Sequence, residues 1–272
     1  MKYAAILAFA VAAWGADGAR IYIVTDMEGV GGVNNAQEQL LPGQRRYDES
    51  RRLLTGEVNA AVDGALDAGA SEVVIWDGHD SSRSLSIDTI HPRAHLIQGV
   101  PTPADYYLKD RLYDGIFFVG QHAMAAAPNA ILAHSQSFTV QELTLNGRPV
   151  GEIGQVAAIG GYFHIPVIFL SGDQAACDEL LALQPKAETV AVKRLAGKGS
   201  SFSLSHEEAK ARIRAGARRA VERIHEFSPW IVEGPVELKF EYGPRARTPS
   251  EPRTQVFKGR TVLEAYQDWM KR

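Results

Sequence analysis

The sequence predicts an α/β protein: a largely parallel, mixed sheet with flanking helices, plus a smaller α+β lobe toward the C-terminus. Three observations predict it. Short, continuous apolar runs such as Ile21-Tyr22-Ile23-Val24 and Gly115-Ile116-Phe117-Phe118-Val119 recur along the chain. Stretches with helical spacing lie between them, which is the texture of βα units. The chain has 272 residues, 45% hydrophobic and 22% charged, enough to bury a sizeable core.

The first nineteen residues read as a signal peptide. Lys2 is followed by an apolar stretch from Tyr3 to Trp14 and then by small residues, Gly15-Ala16-Asp17-Gly18-Ala19. That stretch is short of the roughly 20 residues a membrane span needs. Cleavage after Gly15 or Gly18 is expected, with a periplasmic or secreted product and no stable span in the mature chain. From Arg20 the elements alternate. Ile21–Val24 is a first strand, and residues 47–68 carry helical spacing at Leu54, Val58, Val62 and Ala65. Glu72–Trp76 is a second strand, His95–Ile97 a third and Gly115–Val119 a fourth. Residues 138–145 form one arm of a hairpin turning at Asn146-Gly147. Val150–Tyr162 is a helix with small residues on its face, Pro166–Leu170 a strand, and Asp173–Leu183 a helix. The α/β domain is expected to span residues 20–189. Beyond about Val190 the texture changes to a basic helix (Glu207–Ile224), two strand-like segments (Val236–Tyr242, Thr254–Phe257) and a last helix (Val262–Met270). Residues 190–272 are therefore read as the smaller lobe.

Composition removes several functions. The formal net charge of −3 lacks the basic excess of a general nucleic-acid binder. A single cysteine, Cys177, excludes an intramolecular disulfide and any thiolate-cluster zinc site. Metal ligands must then be His, Asp and Glu. The glycine-rich run from Gly29 has Asn34 where a dinucleotide fingerprint needs its third glycine, and neither H-E-x-x-H nor G-x-S-x-G occurs.

Chemistry gathers after the predicted strands. Thr25-Asp26-Met27-Glu28-Gly29 follows the first, Asp77-Gly78-His79 the second, and Gly120-Gln121-His122 the fourth. In open parallel sheets ligands bind beyond the carboxyl ends of the strands. Asp26 and Glu28, turned toward one point, would repel each other unless a proton or a divalent cation intervenes. Taken alone they read more readily as a helix-capping or turn aspartate and a surface glutamate than as metal ligands. His79 and His122 at equivalent strand ends favour the metal reading. Mixed carboxylate and imidazole ligands suit zinc, manganese, cobalt or iron. His134 precedes the hairpin, and Glu152 opens a helix, where a carboxylate also complements the helix dipole. His91, His95, His164, His206 and His225 are read as structural.

These motifs occur in an order that resembles the zinc-dependent D-aminopeptidase family, the DppA-like metallopeptidases. His134-Ser135, Asn146 to Glu152, His91-Pro92, Ala191-Val192-Lys193 and Leu263 to Gln267 strengthen the resemblance, which covers nearly everything after the signal. It implies five metal ligands, Asp26, Glu28, His79, His122 and Glu152, and a catalytic role for His134. It also implies two zinc ions per chain, release of N-terminal D-amino acids from short peptides, and a ring-shaped homo-oligomer. Thr25 stands where the family usually has serine, and keeps the hydroxyl. Five ligands suit a two-metal site, with Asp26, nearest the strand end, as the expected bridge. His134 is the expected general acid/base or oxyanion stabiliser. Two other readings stay open: another two-metal amidase or phosphoesterase, and a non-catalytic exported peptide- or metal-binding protein.

Overall fold

The computed structural model describes residues 18–99, 102–109, 112–197, 199–243 and 252–271. The signal expected at residues 1–19 lies outside this range but for its last two positions. The main sheet has seven strands: β1 (Arg20–Thr25), β2 (Glu72–Asp77), β3 (Ala94–Ile97), β4 (Gly115–Gln121), β7 (Val167–Asp173), β8 (Glu188–Gly197) and β9 (Ser200–Ser203). Two strands that join a second sheet, β5 (Val140–Leu145) and β6 (Arg148–Pro149), fall between β4 and β7 in the chain. The main-sheet order is β3-β2-β1-β4-β7-β8-β9, parallel except for β9.

The central strands are continuous apolar runs because both faces are covered. Successive side chains alternate between two cores. Ile21, Ile23, Phe117 and Val119 enter the core that contains α2 (Tyr47–Asp67) and α5 (His206–Glu222). Tyr22, Val24, Ile116 and Phe118 enter the other, with α3 (Glu152–Tyr162) and α4 (Gln174–Leu183). A four-stranded antiparallel sheet, β11-β10-β5-β6, closes that second core, where β10 is Val236–Tyr242 and β11 is Arg253–Gly259. The last helix, α6 (Val262–Met270), adds the buried Tyr266. A four-residue helix, α1 (Ala36–Gln39), lies in the loop after β1.

The division expected near residue 190 does not fall between the two sheets. β8, β9 and α5 belong to the main sheet and its covering layer, while β5 and β6 reach the small sheet from earlier in the chain. The cause is local. Val190 and Val192 of β8 point into the α2–α5 core, and β8 pairs parallel with β7, so the main sheet continues past residue 190. β5 pairs instead with β10, Leu145 opposite Leu238.

Candidate active site

The sheet reverses direction of growth at β1: the chain proceeds to β2 and β3 on one side, then returns to place β4 on the other. That is a switch point, where the ends of adjacent strands diverge and leave a crevice. Thr25 is in register with both Asp77 and Val119, so the residues following β1, β2 and β4 emerge side by side. These are Asp26 and Glu28, His79, and His122. The N-terminus of α3 brings Glu152 to them, and the loop between β4 and β5 brings His134. All six residues predicted for the site are thus together.

They form two groups whose possible ligand atoms lie within 4.8 Å of one another: Asp26, Glu28 and His79, and His122, His134 and Glu152. Asp26 stands between them. Its Oδ1 is 3.1 Å from His79 Nδ1, and its Oδ2 is 3.1 Å from His122 Nε2. Glu28 Oε2 is 3.0 Å from His79 Nδ1, and Glu152 Oε1 is 3.6 Å from His122 Nε2 and 3.8 Å from His134 Nε2. Asp26, Glu28, His79 and His122 are each no more than 6% exposed.

Each imidazole is fixed by one backbone carbonyl. His79 Nε2 meets Leu40 O at 2.8 Å, His122 Nδ1 meets Ala123 O at 2.9 Å, and His134 Nδ1 meets Leu132 O at 3.0 Å. The proton of the neutral ring is assigned to that nitrogen, because only an N–H can answer a carbonyl. The other nitrogen then turns a lone pair toward the carboxylates, which is how histidine ligands are held on metals. Lone pair against carboxylate is repulsive unless a cation lies between. His122 Nε2 and Glu28 Oε2 are in fact buried without a hydrogen-bond partner. Nitrogen and oxygen donors without thiolates fit zinc.

The electrostatics carry the same demand. Burial opposes charge on Asp26, yet His122 and His79 hold its carboxyl far below the usual carboxylate range. Burial likewise opposes the Glu152 carboxylate, and His122 and His134 bring it down to about 2. Burial would depress His79 and His122, but Glu28 and Asp26 lift the first, and Glu152 and Asp26 lift the second, well above the ordinary imidazole value. Without a metal, the imidazoles take up protons in its place.

Several supporting residues were not anticipated from sequence. Gln121 Nε2 donates to Asp26 Oδ2 at 3.2 Å, and the Gln136 backbone N–H donates to Glu152 Oε1 at 2.7 Å. His134 is sandwiched between the rings of His122 and Phe138, at centroid distances of 4.0 and 4.3 Å. Gln121 was within reach, since it adjoins His122 at a strand end. Phe138 and Gln136 were not, because only the fold of the loop brings them in. The groups open into a cavity of about 630 Å³, with Trp76, Tyr106, Phe118 and Trp269 on its apolar walls and Asp80 among its polar ones.

The family profile described as D-aminopeptidase, peptidase family M55, matches residues 19–271. The chain belongs to this D-aminopeptidase family. It is accordingly a hydrolase of the metallo-aminopeptidase class. A D-aminopeptidase of Bacillus subtilis (strain 168) is 30% identical over 260 residues, covering 91% of this chain and 94% of the relative. Among solved structures, the Zn-dependent D-aminopeptidase DppA from Bacillus subtilis, a self-compartmentalizing protease, superposes with a TM-score of 0.84 at 28% identity. It covers 93% of this chain and 96% of that one. The D-aminopeptidase family thus accounts for both sheets.

Proposed function

We propose that the chain is an exported, zinc-dependent D-aminopeptidase that removes N-terminal D-amino acids from short peptides at a site holding two zinc ions. The observation that carries the two-ion reading is the division of Asp26, with one oxygen facing His79 and the other His122. Asp26, Glu28 and His79 would hold one ion, and Asp26, His122 and Glu152 the other. When bound, zinc supplies Lewis-acid polarisation of the scissile carbonyl and acidifies water.

The protein's own groups do the rest. With Nδ1 committed to Leu132 O, His134 has Nε2 free to accept a proton from water and return it to the leaving amine. Stacking on His122 and Phe138 limits ring rotation, so the proton moves at a fixed place. The carboxylate of Asp80, which lines the cavity and is not among the ligands, favours a substrate's free ammonium end, while the aromatic walls exclude water from side chains. The cavity's volume suits a short peptide. The self-compartmentalizing relative supports a ring-shaped homo-oligomer, and the apolar stretch ahead of Gly15 supports a periplasmic or secreted location. Among the described residues no helix is long and apolar enough to cross a membrane.

The test is elemental analysis of the signal-less protein, with D-Ala and L-Ala p-nitroanilide hydrolysis on the same sample. About two zinc ions per chain and D-selective release are expected. No bound metal after reconstitution with zinc or manganese would overturn the ligand assignment. Metal without amide hydrolysis would overturn the peptidase reading alone.

A further inference from the structure

Two charged residues outside the ligand set, the buried Lys193 and the partly buried Glu179, each hold one half of the site. Lys193 of β8 is 2% exposed. Its ammonium donates to the backbone carbonyls of Glu28 and Val33, the two ends of the loop that wraps the first group. Midway between them, the Gly31 N–H donates to Glu57 Oε1 at 3.0 Å. Burial works against the Lys193 charge, and the carboxylates of Asp173 and Glu57 favour it. A lysine brings three donors and no acceptor, which matches converging carbonyls, and a charged donor binds about twice as strongly as a neutral one.

Glu179 of α4 does the complementary work. Its Oε2 accepts the Met124 N–H at 2.7 Å and its Oε1 the Gly151 N–H at 3.2 Å. Met124 follows His122 by two residues, and Gly151 immediately precedes Glu152. One carboxylate therefore ties the end of β4 to the start of α3. The fit is tight: a Cβ on Gly151 would lie 2.7 Å from Glu179 Oε1 and 2.7 Å from Met124 Cβ. The hydrogen bonds of Lys193 fall on the first group's loop, and those of Glu179 on the second group's segments.

We infer that Lys193 and Glu179 are positioning residues, each setting the affinity of one metal group independently of the other. The inference rests on the two-zinc reading above. It follows because a ligand's direction is fixed by the backbone that carries it, and loss of such outer support typically costs 10–100-fold in metal affinity. Side chains that only stabilised the fold would weaken both groups together.

The experiment measures zinc dissociation constants by chelator competition in the parent, Lys193→Met and Glu179→Gln. Anomalous zinc density in crystals at substoichiometric zinc identifies which ion remains. Lys193→Met keeps the aliphatic stem and loses the donors. Glu179→Gln keeps the shape and turns an amide NH2 toward one of the two N–H groups. Lys193→Met is expected to weaken the ion beside Glu28 and His79 about 10–100-fold and to leave the other within about threefold. Glu179→Gln is expected to do the reverse. Equal weakening of both ions in either variant, or no weakening, overturns the inference. If Lys193→Met does not fold, Lys193→Gln, which keeps one amide donor group, is read the same way. A parent chain that takes up fewer than two ions overturns the two-zinc reading before either variant is compared.

Discussion

Gly29→Ala is the sharpest test of how the ligand spacing is set. Gly29 lies between Glu28, a ligand in the proposed site, and the tight loop beyond it, and its N–H donates to Gly120 O at 2.7 Å. Its φ is not left-handed, so the need for glycine is steric. A Cβ there would stand 2.0 Å from Gln121 O and 2.4 Å from Gln121 C, where ordinary contact begins near 3.4 Å. Both obstacles are backbone and cannot swing aside. The loop carrying Asp26 and Glu28 must then part from the strand end carrying His122 by more than an ångström. Catalytic constellations tolerate about 0.5 Å, and a misplacement of about 1 Å costs on the order of 100-fold. Overpacking of this kind also costs about 1–3 kcal/mol of stability. The assay is zinc content and D-Ala p-nitroanilide turnover, normalised to folded protein by circular dichroism. Turnover about 100-fold lower, with zinc lost more readily, is expected. Gly197→Ala, where φ is not left-handed and the nearest atom to a Cβ is Ser200 Oγ at an ordinary 3.5 Å, serves as the control for a change of glycine alone. Parental zinc content and turnover in Gly29→Ala would show that the contact between loop and strand does not fix the ligands.

Asp26→Ala should remove both ions and turnover together, because its two oxygens face both groups; elemental analysis showing one ion retained would break the bridge assignment. His134→Ala should retain two zinc ions and lose about 100-fold or more of turnover, as expected for removal of a general acid/base; loss of an ion would make His134 a ligand of the second group instead. The metal-free protein should weaken as pH rises. Burial, opposed by neighbouring carboxylates, leaves His79 and His122 with raised values, so their stabilisation is complete below about pH 6.5 and is lost as pH climbs through the folded values. Glu57 and Glu179, pushed up by burial to about 7, act in the same direction from about pH 4.3 upward. The lowered Asp26 and Glu152 lose their contribution as pH falls below about 4. Zinc binding releases protons, so the melting-temperature gap between zinc-loaded and chelator-treated protein should widen with pH; parallel curves would contradict the site's protonation. Phe240→Ala should cost about 3–5 kcal/mol in urea unfolding, since the ring is fully buried against Phe257 and Trp269.

The site was legible in the sequence to the extent that it is built from strand ends. A strand buried on both faces appears as an unbroken apolar run, and the first polar residues after it mark the sheet's edge. Asp26, His79 and His122 sit at such points. Lys193, Glu57 and Glu179 were not legible, because in local sequence each is a charge on an amphipathic element, indistinguishable from a solvated one. Their roles follow from tertiary packing: Glu57 is buried against the Gly31 N–H of the loop after β1, and Glu179, partly buried, accepts from the strand-to-helix junction at Gly151. The sheet assignments divide the same way. Strands β1, β2, β4 and β7 pair through successive βα units, whereas β5 and β10 pair across some ninety residues that no periodicity connects.

The position of Asp26 explains why one sheet can assemble two groups without a dedicated motif. β1 is the only strand of the main sheet with β2 on one side and β4 on the other, so a carboxylate leaving it meets histidines from both neighbours. Two oxygens on one carbon suffice to link them. An aspartate leaving β2 or β4 would lie between β1 and β3 or between β1 and β7, none of which is directly followed by a histidine. The same placement sets the electrostatic condition of the site. Three carboxylates share a pocket with rings whose protons are already given to backbone carbonyls, and nothing in the pocket but protons or cations can balance them. The geometry that brings these carboxylates and imidazoles together is therefore also what makes the pocket demand a positive charge.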